Sequence, residues 1–267
     1  MTGGPLRAEL ERTNYAGRTV TLAEGAAVVG ATTLLSVRAG RADALVIGAI
    51  GALGLADDLI EPRRRRAGLP VEKGLRGHLG ALRRGRLTTG AAKAIGIPVV
   101  AGIGALLAPG PHRPVGLIVD AGIAAGSANL VNLLDLRPGR ALKVVLPAAA
   151  LLAAVPARDG AERDDRERSG AALALAALLP GLTALPADLG ERGMLGDAGA
   201  NALGAATGAA AARRLPAPAR VALLAGIVAL TAASEKVSFS AVIDRTATLR
   251  RIDRWGRRPL PGDEGTR

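Results

Sequence analysis

Eight stretches of this chain contain no Asp, Glu, Lys or Arg: 25–37, 44–56, 94–112, 121–134, 144–157, 169–187, 198–212 and 221–234. A helix crosses the hydrocarbon core of a bilayer with about 20 mostly apolar residues, about 17 at the lower end. The runs 94–112 and 169–187 reach that length by themselves, and the other six do so when flanking residues cap or snorkel. The expected fold is all-α: a polytopic membrane bundle of about eight transmembrane helices, forming one domain over 1–267. Its expected appendages are a cytoplasmic basic insert at 59–88 and an amphipathic basic tail at 238–267. Gly122 and Gly126, and Gly204 and Gly208, stand four apart, as in closely packed membrane helices. The competing architecture is a soluble Ala-rich helical protein.

Charge gives an orientation. Alternating the eight runs from a cytoplasmic N-terminus places 25 of the 35 Lys and Arg residues on inward segments and 10 on outward ones. That asymmetry follows the positive-inside rule. Arg213-Arg214 and the loop Arg158–Arg168 run against it, the latter offset by its acids. Met1 to Arg18 is polar and lacks an apolar core, so no cleavable signal peptide is expected. Asp120 lies near the outer end of a run and is expected to reach the surface.

The residue inventory narrows the chemistry. Without cysteine there is no disulfide, thiolate metal site or Cys nucleophile, and two histidines, His78 and His112, exclude a multi-histidine metal site. Tyr15, Phe239 and Trp255 are the only aromatics, so a net charge of +12 has almost nothing to stack bases on, and nucleic acid is not an expected partner.

Polar clusters gather on the inward side. Asp57-Asp58 closes an apolar run and is followed by a basic segment holding Arg63–Arg66, Lys73, Arg76 and Lys93. Adjacent carboxylates repel unless a divalent cation or a basic group sits between them, and Mg²⁺ favours one or two carboxylates completed by water and phosphate. A helix stop with a solvated positive loop reads the same residues equally well. Within the insert, Leu75, Leu79 and Leu82 share one helical face, as expected of a segment lying in the membrane interface. Asn129, Asn132 and Asp135 are spaced by three, along one side of the last helical turns before Arg137-Pro138-Gly139. They suit sugar hydroxyls, a uracil edge or a hydrated metal, or simply join helices. Asp197 opens a run, either capping its N-terminus or holding a metal that bridges a phosphate received there. The tail from Lys236 to Arg258 alternates apolar and basic residues, as an interfacial helix does.

In this order the clusters resemble the polyprenyl-phosphate N-acetylhexosamine-1-phosphate transferase superfamily, which includes the phospho-N-acetylmuramoyl-pentapeptide transferases of peptidoglycan synthesis. Asp57-Asp58, Thr89-Gly-Ala-Ala-Lys93, Asn129/Asn132/Asp135 and Gly196-Asp197-Ala198-Gly199 are similar to its motifs. Arg12-Thr-Asn14-Tyr15-Ala-Gly-Arg18 resembles its first cytoplasmic loop. The chain departs from the family in having eight runs rather than ten spans, no Asp-Gly after Asp135, no late His-rich loop and a longer basic insert.

The resemblance implies a membrane enzyme of the bacterial plasma membrane, with its active face cytoplasmic, working in cell-wall biogenesis. It would move a sugar-1-phosphate from a UDP-activated amino sugar to polyprenyl phosphate and release UMP. Mg²⁺ or Mn²⁺ would sit on Asp197. Asp57, Asp58, Asp135 and Lys93 would be catalytic, and Asn129, Asn132, Asn14, Arg18 and Gly199 would bind substrate. Membrane lipids are further partners, and a homodimer is an open assembly. The missing acid and histidines favour an alternative, a catalytically silent homologue that binds polyprenyl lipid or scaffolds envelope enzymes. The charge count makes one direct prediction: reporters inserted near Arg65 and fused after Arg267 both read cytoplasmic. A periplasmic signal from either removes the eight-span arrangement.

Overall fold

The structure, a computed structural model, describes residues 9–68, 80–81, 83–85, 88–110, 113–156 and 161–259, with the side chains of 161–164 excepted. His78, His112 and the Leu75/Leu79/Leu82 face lie outside the described residues. Among the described residues the fold is all-α apart from a two-stranded antiparallel hairpin, β1 (Glu11–Thr13) and β2 (Thr19–Thr21), where the sequence suggests only a polar turn.

Each charge-free run has its helix: α1 (Ala23–Ser36), α2 (Arg41–Arg66), α3 (Thr89–Leu107), α4 (Pro114–Leu134), α5 (Arg140–Ala154), α6 (Ala161–Leu189), α7 (Gly196–Arg214) and α8 (Ala217–Ser234). Two short helices follow, α9 (Phe239–Arg245) and α10 (Ala247–Arg254). Local chemistry marks several boundaries. Thr88 caps α3 by accepting from the Ala91 N–H at 3.0 Å, Pro114 opens α4, and the left-handed Gly139 (φ 70°) turns α4 into α5. Among the described residues, four helices are long and apolar enough to cross a membrane: α3, α4, Asp165–Leu189 of α6, and α8. The expectation of eight is met to that extent. Helices α1 and α5, with 14 and 15 residues, are shorter, and α2 carries its acids within the helix.

Helix α7 is the axis of the bundle. It packs against α1, α2, α4, α5 and α6, and nearly every residue from Gly196 to Arg214 is buried. Only a Gly/Ala helix can be enclosed this closely. A Cβ on Gly204 would come within 2.5 Å of the Ser127 carbonyl of α4, and one on Gly208 within 2.8 Å of the Ile123 carbonyl. Gly122 and Gly126 of α4 receive Leu224 and Ile227 of α8. Both four-residue glycine spacings therefore mark helix contacts.

At the end of the bundle formed by the C-terminus of α7, arginines are buried and paired. Arg213 bonds both Asp43 oxygens and Ser169, while Arg214 donates to the carbonyls of Leu152 (3.0 Å) and Glu167 (3.1 Å). Asp120 does not reach for water: Arg166 and Arg220 hold it. Of the described arginines that run against the charge rule, Arg166, Arg213 and Arg214 are thus held by protein groups, while Arg168 is exposed beside Asp165.

The packing predicts an asymmetry between glycines. Gly204→Val should cost about 1–3 kcal/mol or more, because α4 backbone must move. Gly226→Ala, with open space around the new methyl, should be neutral or stabilising by roughly 0.5–1 kcal/mol. Thermal unfolding of the two variants in detergent reads this difference; equal midpoints would contradict it.

Candidate functional site

Helix α2 does not stop at Asp57-Asp58 but continues through Pro62 to Arg66. Successive helical residues point about 100° apart, so the two acids face different neighbours instead of each other. Asp57, buried at 6% exposure, faces α3, where Lys93 Nζ stands 3.0 Å from its Oδ2. The same ammonium bonds Asp197 Oδ2 on α7. One cation thus joins carboxylates from two helices.

Asp58 does different work. It accepts the backbone N–H groups of Asp197 at 3.1 Å and Ala198 at 2.9 Å, the exposed donors at the start of α7. The residue in the capping position, Leu195, has no side chain that can do so, and the cap comes from another helix. Gly54, one turn before Asp58, makes this approach feasible, since a Cβ there would collide with the Asp197 carbonyl. Asp197 is therefore not its own helix's cap: two of the N–H groups expected to meet a phosphate already hold Asp58, and the Asp197 side chain turns to Lys93.

Asp135, at the end of α4, is buried, and its Oδ2 has no hydrogen-bond partner among the described residues. Burial, reinforced by the nearby carboxylates of Asp188 and Asp197, holds its pKa well above the usual carboxylate range. It lines a cavity of about 210 Å³ together with Asn14, Tyr15, Arg137, Asp188 and Glu191. Asn14 Nδ2 and Arg18 Nη1 both donate at 2.6 Å to the buried carboxylate of Glu191, and Asp188 accepts the Gly139 N–H at 2.9 Å. The Tyr15 ring lies below the guanidiniums of Arg137, at 5.1 Å, and Arg257, at 6.0 Å.

The expected binding residues divide. Asn14, Arg18, Asp57, Asp58, Lys93, Asp135 and Asp197 gather at one end of the bundle. Asn129 is exposed and Asn132 half-buried on α4, and neither lines the cavity. Gly199 is packed against Gly25 of α1. Sequence reasoning passed over Asp188, Glu191 and the cavity roles of Tyr15 and Arg137. Asp188 had a readable signal: it follows the run 169–187 immediately, as Asp57 follows 44–56.

The tail closes the same end. Arg140 pairs with Asp253 at 2.8 Å, Lys143 donates to the Asp253 carbonyl at 2.7 Å, Arg137 meets Asp244 at 2.8 Å and Arg257 reaches the Pro138 carbonyl at 2.9 Å. Burial works against the Asp253 carboxylate, but Arg140, Arg257 and Lys143 outweigh it and hold its pKa below the usual range. Leu249, Ile252 and Trp255 remain exposed.

For a metal ion, the described residues contain no group of three or more carboxylates or histidines converging as a cage. Mg²⁺ does not require one, since water and phosphate oxygens complete its shell. Asp57 Oδ1, buried without a hydrogen-bond partner beside Asp197, gives an ion shared with substrate a fitting donor.

Removing Lys93 leaves the buried Asp57 and the half-buried Asp197 without their shared cation, so Lys93→Met should destabilise the protein by about 3 kcal/mol. Adding Asp57→Asn should restore part of that loss, a coupling readable in a double-mutant cycle by thermal or denaturant unfolding. Strict additivity would mean that the pair is not energetically joined. No family model, curated protein or solved structure matches the chain.

Proposed function

We propose that the protein is a multi-pass membrane transferase that moves a sugar-1-phosphate from a UDP-sugar to polyprenyl phosphate, releasing UMP. In this reading all eight long helices cross the membrane and the Lys93 end faces the cytoplasm of a bacterial cell. One observation carries it: Lys93 of α3 joins Asp57 of α2 to Asp197 of α7, which stand far apart in sequence, and Asp135 at the end of α4 lies near Asp197. Burying so many charges is costly, and a fold that needed only stability would do better with apolar residues there. An anion-handling reaction repays the arrangement.

The transfer requires an oxygen of the lipid phosphate to attack the phosphorus attached to the sugar. A new P–O bond forms as the bond to the bridging oxygen breaks, and UMP departs with that oxygen and the electron pair. Such a reaction asks for charge neutralisation and alignment more than for covalent help. Lys93 supplies a fixed cation between Asp57 and Asp197. In this reading Asp57, beside Lys93, holds the lipid phosphate, takes its proton or shares the metal. Asp58 holds the start of α7, so Asp197 keeps its position. Asp135 borders the cavity in which the nucleotide sugar would sit, beside Tyr15 and Arg137. Asn14 and Arg18 shape that cavity through Glu191. Mg²⁺, with Asp197 as its protein ligand, would supply further charge neutralisation at the diphosphate.

The internal neutralisation of the site also supports a second reading, a silent homologue that binds polyprenyl lipid or organises other envelope enzymes. Lys93, Asp58 and Glu191 are all satisfied by protein groups.

Incubation of the purified protein with polyprenyl phosphate, Mg²⁺ and a panel of UDP-sugars separates the two. The transferase releases UMP, and Asp197→Asn lowers that rate by roughly a thousandfold or more while the protein stays folded. Wild-type protein silent with every UDP-sugar supports the second reading.

A further inference from the structure

A groove of about 350 Å³ runs between α1 and α6, and its character changes along its length. Glu24, at the start of α1, and Arg192, just beyond the end of α6, lie at one end. Ala27, Ala31, Pro180 and Ala184 continue the groove away from them. It is polar where the two helices meet the Lys93 end of the bundle, and apolar towards the middle.

The polar end holds an acid and a base that do not satisfy one another. Both Glu24 carboxylate oxygens are buried, and neither has a hydrogen-bond partner among the described residues. Gly193 makes room for this carboxylate, because a Cβ there would collide with it. Arg192 is exposed, and its contact with the Pro186 carbonyl is long, at 3.5 Å. A buried carboxylate without a donor is costly, and such groups usually mark a missing partner.

The partner must bring an N–H cation for Glu24, an anion for Arg192 and a slender apolar chain for the small-residue stripe, in that order along the groove. A membrane lipid with a primary-amine headgroup has this arrangement, with its head at the surface and its chain in hydrocarbon. We propose that the groove binds one phosphatidylethanolamine molecule, its ammonium on Glu24, its phosphate at Arg192 and one acyl chain along Ala27, Ala31, Pro180 and Ala184. The choline headgroup has no N–H to donate, and the glycerol headgroup has no cation. The site rests on the membrane placement of the bundle and is independent of the transfer reaction.

The test is native mass spectrometry of the delipidated full chain, titrated in detergent with phosphatidylethanolamine, phosphatidylcholine and phosphatidylglycerol. The ethanolamine lipid should bind about tenfold more tightly than either of the others, the scale of one charge-assisted hydrogen bond. Glu24→Gln should abolish that preference, and Arg192→Gln should weaken the ethanolamine and glycerol lipids alike. Ala31→Phe, on the exposed wall, should block the groove without disturbing the core. Equal affinities for the three lipids in the wild type overturn the proposal, as does a preference that survives Glu24→Gln. Should Glu24→Gln fail to fold, undiminished ethanolamine-lipid binding by Ala31→Phe overturns it instead.

Discussion

Backbone-to-backbone contact around α7 is the constraint on which the rest of the molecule depends. A helix with five helical neighbours has no outward-facing side, so its residues need not be large and apolar; they need to be small. With Gly204 and Gly208 against α4, and Gly199 against Gly25 of α1, the helices come close enough for dispersion and Cα–H contacts to replace side-chain interdigitation. In the proposed membrane placement hydrophobic burial would contribute little between the helices, and this closeness would be the main source of cohesion. It also explains why α7 carries charged groups at both ends. Asp197 and Arg213-Arg214 are enclosed by the same neighbours that enclose the alanines between them.

The two ends of α7 solve the same electrostatic problem in opposite ways. Its N-terminus, where free N–H groups gather, takes the carboxylate of Asp58 from α2. Its C-terminal arginines complement the dipole and are held by Asp43 and by carbonyls. The difference lies in surplus. At the arginine end the carboxylates of Asp43 and Asp120 and the guanidiniums of Arg166, Arg213 and Arg214 all have close partners. At the Asp197 end, Asp57 Oδ1 and Asp135 Oδ2 have none, and the acids outnumber the one lysine among them. That imbalance sets this end apart from the arginine clamp at the other.

The helices were legible because charged residues punctuate the apolar runs; each run in the sequence has one helix. The path of α2 beyond Asp58 was not. Its proline and four arginines read as a loop, yet the arginines lie in the last helical turn, where they complement the helix C-terminus, and Glu61 pairs with Arg65 one turn on. Asp57, Lys93 and Asp197 could be named singly, because a charged residue at the edge of an apolar run is conspicuous. What each would touch could not. That Asp58 caps a helix far along the chain, or that Glu191 gathers Asn14 and Arg18, depends on which helices become neighbours, and Gly54 and Gly25 decide that by steric allowance alone. Asn129 and Asn132 show the reverse case: regular spacing placed them on the same side as Asp135, but only Asp135 reaches the cavity.

The scarcity of aromatic residues has a spectroscopic consequence. Trp255, the single tryptophan, is exposed just after α10, and Tyr15, the single tyrosine, lies in the hairpin turn between two arginines. The bundle's eight long helices therefore contain neither chromophore, and intrinsic fluorescence reports the rim rather than the core. Tail release and bundle unfolding become separable optically: a fluorescence transition that precedes the loss of helical circular dichroism measures the strength of the Arg140–Asp253 latch. Noncoincident transitions in this protein would then signify a detachable edge, with the helical core still intact.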